Sequence, residues 1–363
     1  MSALASDSPL LKPITLGSIS TANRVFMAPL TRSRAQHDGT PTDLQVEYYR
    51  QRARAGLIVS EGTQPSAVGK GYTNTPGLHT DAQQAGWAKI ADAVHAEGGK
   101  IVVKLLHAGR MSHPDNSGQE SVAPSAIAPA GQQMFTGAGM QDIPTPRALE
   151  TAELSGVIAE FVDASTRAIA AGLDGVELHA ANGYLLHEFL SDGENTRTDA
   201  YGGSPDNRAR FVVDVVTAVA EAIGADRVGI RISPGHGASG MTERDHSATY
   251  QALLRQIDVL GLAYLHVLIE PTDPELARLR QAWTGALVLN TGFGVASERD
   301  EMAALLTEGV ADAVAVGRPY IANPDLIERW TRGVEVAEPD AALFYSGGAQ
   351  GYTDYPRWDE AAA

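Results

Sequence analysis

One pattern repeats along this chain. A helix-period stretch closes near a glycine, and an apolar run of a few residues follows. In "AELSGVIAEFVDASTRAIAAGLDGVELHA", Leu154, Val157, Ile158, Phe161, Val162 and Ile169 share one helical face. Gly172 suits the left-handed stop, and Val176 to Leu178 reads as a short buried strand. In "SPDNRARFVVDVVTAVAEAIGADRVGIRIS", Ser204 can cap, Pro205 fits the first helical position and Gly224 can end the helix. A third copy, "SERDEMAALLTEGVADAVAVG", stops at Gly309.

Collecting the apolar runs gives eight strands: Arg24–Ala28, Leu57–Ser60, Ile101–Leu106, Val176–Leu178, Val228–Ile232, Tyr264–Leu268, Leu287–Leu289 and Ala313–Val316. Alternation with helices implies a parallel sheet, and eight units predict an α/β fold closed as a (β/α)₈ TIM barrel. An open doubly wound sheet is the rival, but no G-x-G-x-x-G turn follows the first strand. The whole chain, 1–363, reads as a single domain. Residues 10–22 form a hairpin, with Gly17 and Ser18 in its turn, expected to plug the barrel bottom. Residues 108–149 lack periodicity and are rich in Gly, Pro, Ser and Gln, which predicts a lid inserted after the third strand.

Chemistry in such a barrel belongs at the C-terminal strand ends. Past the first strand come Pro29, Leu30 and Thr31, and past the second Glu61 and Gly62. The third contains Lys104 and leads to His107 and Arg110. The fourth gives His179, Asn182 and Tyr184, and the fifth contains Arg231. The seventh gives Asn290, Gly292 and Gly294, and the eighth Gly317 and Arg318. Glycines after strands seven and eight, with an arginine, match the usual phosphate site of this fold; the plain alternative is tight turns. Lys104 and Arg231 break apolar runs, so each needs an anionic or hydrogen-bonding partner inside the barrel. That partner is either Glu61 or Glu177, or an anionic ligand. His187, in "YLLHEFL", reads as a packed helix histidine.

Composition narrows the classes. With 44% hydrophobic and 20% charged residues the chain is ordinary for a soluble globular protein. A net charge of −16 argues against nucleic acid and against anionic membrane surfaces. The absence of cysteine excludes disulfides, thiolate catalysis, iron–sulfur clusters and zinc–thiolate sites, and no metal site is expected. The N-terminus lacks the basic start and apolar core of a secretory signal, and no apolar run is long enough to span a bilayer. A cytoplasmic location is therefore expected.

The stretches "NRVFMAPLTRSRA", "GYTNTPGLHT", "HAANGYLLHEFLS", "RTDAYGGSPDNRARF", "VGIRISP", "GRPYIANPDL" and "GGAQGYTDYP" occur in this order, essentially end to end. By them the chain resembles the Old Yellow Enzyme family of FMN-dependent ene reductases. Within that family it is most similar to the bacterial group of pentaerythritol tetranitrate reductase and N-ethylmaleimide reductase. The resemblance implies noncovalent FMN at the C-terminal face, with NADH or NADPH as reductant. It assigns Pro29, Leu30 and Thr31 to the flavin ring, Gly62 to its edge, and Lys104 and Arg231 to its pyrimidine side. Asn290 joins the cofactor set, and Gly292, Gly317 and Arg318 match the phosphate positions. His179 and Asn182 match the pair that binds a substrate oxygen, and Tyr184 the proton donor. Tyr72, Leu106 and Tyr345 would line the substrate space. The substrate would be a small molecule with an activated alkene, with nitro compounds, maleimides or nitrate esters as further candidates. The protein would act as a monomer or homodimer.

Two positions depart from the family pattern. Lys104 stands where glutamine is usual, and Leu106 where the bacterial group commonly has tryptophan. The first predicts a more stable reduced flavin, or else a lysine paired with Glu61; the second predicts a pocket of different shape. Two other functions fit parts of the sequence: a flavin-free barrel lyase with Lys104 as Schiff base, and a flavin-binding protein without catalysis.

Overall fold

The structure is a computed structural model that describes residues 3–292 and 297–358. Strands β1 (Ile14–Leu16) and β2 (Ile19–Thr21) pair antiparallel around Gly17, whose φ of +56° suits a residue without Cβ. Their Leu16 and Ile19 are buried among barrel-interior residues Phe26, Leu57, Val102 and Ala313. Ser18 N donates to Asp226 O at 3.0 Å, just before a barrel strand begins. The hairpin therefore closes the N-terminal end.

Three parallel strands come next: β3 (Val25–Met27), β4 (Ile58–Thr63) and β5 (Ile101–Leu105). The insertion after β5 carries four short strands. β6 (Val122–Ala123) pairs with β9 (Arg147–Ala148), and β7 (Gln133–Thr136) with β8 (Gly139–Asp142). Then come β10 (Gly175–Ala180), β11 (Val228–Ile232), β12 (Tyr264–Leu268), β13 (Leu287–Asn290) and β14 (Ala313–Val316). β3–β5 and β10–β14 close into one parallel barrel. All eight expected strands form.

Strand alternation sorts side chains into two shells. Val25, Met27, Val103, Leu105, Val176, Leu178, Ile230 and Val267 face the helices in the main core. Phe26, Val102, Tyr264, Val288 and Ala315 face the barrel interior. On the helix Leu154–Ala170 the buried stripe runs through Leu154, Val157, Phe161, Ala164 and Ala168. Ile158, Val162 and Ile169 flank it half-buried.

Two strands run further than expected. β4 continues to Thr63 and β10 to Ala180, so Glu61, Gly62 and His179 lie within strands. β4 reaches its length through a bulge: Val59 pairs with Val102, yet Gly62 pairs with Lys104. One extra residue reverses the facing of the residues beyond it. Glu61 consequently points outward. It accepts from Arg32 N, Ser33 N and Gln45 Nε2, at 3.1, 3.3 and 2.9 Å.

Among the described residues, no helix is long and apolar enough to cross a membrane.

Candidate active site

Above the apolar interior layer lies a polar one. Lys104 from β5, Glu177 from β10, Arg231 from β11 and His266 from β12 are all buried and face inward. Register places Lys104 beside Glu177, and Arg231 beside both His179 and His266. Arg231 Nη1 lies 2.5 Å from His266 Nε2, and Nη2 donates to Asn290 Oδ1 at 3.3 Å. Glu177 Oε2 lies 2.8 Å from His266 Nδ1 and accepts from Tyr264 OH at 3.2 Å. Gly229 makes room for this: a Cβ there would meet the Tyr264 ring at 2.3 Å.

Neither carboxylate proposed as a partner for Lys104 pairs with it. Glu61 is turned outward by the bulge, and Glu177 is engaged by His266 and Tyr264. Among the described residues no carboxylate oxygen lies within 4.0 Å of Lys104 Nζ. Burial lowers its pKa to about 7, and the neighbouring Arg231 contributes to that shift. His266 and Tyr264 were not singled out in the sequence. A histidine interrupting "YLHVL" is the same signal that marked Lys104 and Arg231.

At the level above, β10 carries His179 as its last residue but one. Its ring is buried, and among the described residues neither nitrogen has a hydrogen-bond partner. Burial, then the charges of Lys104 and Arg231, drive its pKa well below the usual 6.5, so it is neutral. The turn after it is tied at three points. Asn182 N donates to Ser233 Oγ at 2.9 Å, Ser239 Oγ donates to Asn182 O at 2.9 Å, and Gly183 N donates to His187 Nδ1 at 2.9 Å. They hold Asn182 at φ +59°, a conformation asparagine tolerates better than most residues. The Asn182 side-chain oxygen is buried without a partner. His187 is fully buried, as expected of a packed histidine, and it fixes this turn; its Nε2 lies 3.0 Å from Glu243 Oε2.

Tyr184 begins the helix Leu185–Leu190. Its ring lies 5.3 Å from that of His179, and its hydroxyl is 2.9 Å from the Tyr72 hydroxyl. Burial raises both phenol pKa values, Tyr184 well above 10. Met111, Met134 and Ile143 of the insertion pack against these two tyrosines. Leu106 covers Gly62: its Cδ1 would lie 2.8 Å from a Cβ there.

The remaining expected residues spread around the barrel mouth. Pro29, Leu30 and Thr31 are half-buried just past β3. Gly317 is half-buried and Arg318 exposed, at the start of the helix Pro319–Ala322. A Cβ at Gly317 would make only ordinary contacts, 3.6 Å to Leu30 Cδ2 and 3.9 Å to Ala28 Cβ, and its φ is not left-handed. Neither packing nor backbone strain explains that glycine. Gly292 is half-buried, while Gly294 lies outside the described residues. The Asn290 amide is committed to Arg231 and to Ala315 O, so it orients the arginine. Tyr345 is 65% exposed, on a segment that Arg32 and Arg34 hold through the carbonyls of Leu343 and Phe344, and it lies near enough to Tyr72 and Tyr184 to help raise both phenol pKa values. His107 accepts from Gly109 N, and Arg110 lies 3.4 Å from Glu194; both brace the start of the insertion.

The profile of the NADH:flavin oxidoreductase / NADH oxidase family matches residues 9–336. A Leishmania infantum protein described as a "probable flavin mononucleotide-dependent alkene reductase" is 39% identical over 96% of this chain and 97% of its own. The structure of morphinone reductase in complex with tetrahydroNAD superposes with a TM-score of 0.92 at 46% identity, covering 98% of this chain and 99% of that one. The old yellow enzyme homologue from Zymomonas mobilis gives 0.92 at 37% identity, over 96% and 99%. The chain belongs to the NADH:flavin oxidoreductase / NADH oxidase family, the family of Old Yellow Enzyme.

Proposed function

We propose that this protein is an FMN-dependent ene reductase that takes reducing equivalents from a nicotinamide and reduces the activated C=C bond of an α,β-unsaturated carbonyl. The observation that carries the reading is His179. A buried, neutral imidazole with both nitrogens unpartnered, next to an unpartnered Asn182 oxygen and a phenol, is costly unless a ligand completes it. The residues present also fit a flavin mononucleotide. Lys104 and Arg231 supply cations to an interior with one carboxylate between them, and Arg231 Nε is buried without a partner. Gly317 leaves its backbone open to close approach. Pro29, Leu30, Thr31, Gly62, Lys104 and Arg231 would hold the ring, and Gly292, Gly317 and Arg318 the phosphate.

When bound, FMN supplies the site that accepts hydride from the nicotinamide and returns it to the alkene. His179 and Asn182 each offer an N–H to the substrate oxygen, where negative charge grows. Neutral His179 donates without having to lose charge. Tyr184 gives the proton to the α-carbon, and its raised pKa keeps that proton in place at neutral pH. Tyr72 orients the phenol. The insertion residues Met111, Met134 and Ile143 keep water from the pair and act as a lid.

The reading extends to an enzyme that acts on small molecules rather than on nucleic acid or an anionic membrane surface, which the net charge of −16 disfavours. Anaerobic stopped-flow absorbance tests it. NADH or NADPH should bleach the bound flavin, and 2-cyclohexenone, a maleimide or a nitrate ester should restore it. A colourless protein that borohydride traps with substrate at Lys104 would overturn it.

A further inference from the structure

Among the described residues no carboxylate holds Arg231 directly. His266 stands between it and Glu177, with Arg231 Nη1 2.5 Å from His266 Nε2 and His266 Nδ1 2.8 Å from Glu177 Oε2. Adjacent strands β10, β11 and β12 supply the three residues, and all are buried. A guanidinium can only donate. Nη1 also lies 3.3 Å from His266 Nδ1, but the Glu177 carboxylate takes the Nδ1 proton at 2.8 Å, which leaves the nearer Nε2 as the guanidinium's acceptor. Only a neutral imidazole in that tautomer satisfies both neighbours; an imidazolium would set two cations in contact. Tyr264 OH, donating to the same Glu177 oxygen, fixes the far end, and Asn290 Oδ1 takes Arg231 Nη2. Among the described residues two atoms of this network remain buried and unpartnered, Arg231 Nε and Glu177 Oε1.

An ion pair would have served a structural arginine. Interposing a neutral ring directs the guanidinium while keeping the carboxylate beyond contact, so more of the positive field stays available to a ligand. We propose that Glu177 and His266 are positioning residues, a buried carboxylate–imidazole relay that aims Arg231 and sets how strongly the site favours the reduced cofactor. This rests on the flavin reading above. The Glu177–His266 pair does not touch substrate; it acts through Arg231.

Spectroelectrochemistry and FMN titration of the apoprotein test the proposal, on wild type, His266→Leu and His266→Gln. Glutamine can still accept from Arg231 and donate to Glu177; leucine can do neither. His266→Leu should lose tenfold or more of the preference for reduced over oxidised FMN, a midpoint shift of about 30 mV to the negative for two electrons. His266→Gln should stay within about a third of that shift. A His266→Leu protein that binds FMN at the wild-type potential, changed only in melting temperature, overturns the proposal. The relay is also read without cofactor. In ¹⁵N-histidine spectra of the apoprotein, with the signal assigned by its loss in His266→Gln, His266 should be the Nδ1–H tautomer and remain neutral at pH 6. A His266 that is protonated at pH 6 overturns the relay whether or not FMN binds. Wild-type apoprotein that fails to bind FMN overturns the flavin reading, and with it the role of the relay toward that cofactor.

Discussion

The hydroxyl oxygens of Tyr72 and Tyr184 stand 2.9 Å apart, with their rings nearly perpendicular at 82°. Tyr72 reaches this position from the segment after β4 and Tyr184 from the turn after β10, so the pair bridges two loops of the barrel mouth. Either oxygen can be the donor, which lets Tyr184 release its proton and recover one through its neighbour.

Tyr184→Phe should therefore slow reduction of 2-cyclohexenone by roughly 10²–10⁴-fold while leaving flavin reduction by nicotinamide almost unchanged. Tyr72→Phe should slow the same half-reaction by a smaller factor, because it removes only the partner. Stopped-flow separation of the two half-reactions measures both. Equal losses in both half-reactions for Tyr184→Phe would remove the proton-donor role.

His179 is held neutral by burial beside Lys104 and Arg231. The profile of kcat/KM for an enone should then show no limb near pH 6.5, where a free histidine titrates. A protonation step near 6.5 that vanishes in His179→Asn would show instead that the imidazole changes charge during turnover.

Among the described residues no carboxylate contacts Lys104, which faces the site, so its charge is available to a reduced, anionic flavin. Lys104→Gln should make the flavin potential more negative. An unchanged potential would make the lysine a packing residue.

The barrel was legible because parallel strands buried on both faces are continuous apolar runs, and polar interruptions such as Lys104 and Arg231 mark the inward side. What alternation alone could not show was the bulge. Val59 faces inward, so period-two counting puts Glu61 inward as well, beside Lys104. One extra residue sends it to Gln45 on the helix Asp43–Gln51 instead. The relay through His266 depends on register between β10, β11 and β12, which no single strand carries. Tyr345 lies outside the motif stretches, and the segment that carries it is held by two arginines about three hundred residues away in sequence.

Gly229 tests the interior packing. A methyl group there would sit 2.3–2.7 Å from the Tyr264 ring, which cannot retreat without releasing Glu177. Gly229→Ala should destabilise the protein by about 1–3 kcal/mol in urea unfolding. Adding Tyr264→Ala should recover part of the loss by vacating the ring's space; no recovery would place the strain elsewhere.

Lys104 also makes stability depend on pH in the FMN-free protein. Its pKa falls from 10.5 to about 7 on folding. Below pH 7 both states carry the charge, and the folded state bears the full cost of burying it. Between pH 7 and 10.5 the folded state gives up the proton while the unfolded state keeps it, so the cost declines as pH rises. Lys104→Met should accordingly stabilise the apoprotein at pH 6, on the order of a few kcal/mol, and roughly half as much at pH 9. Bound FMN should shrink the difference at both pH values, since an anionic ligand offsets the buried charge. Denaturant melts of apo and loaded protein at the two pH values decide it: a pH-independent gain would mean that the ammonium is not buried in the folded state.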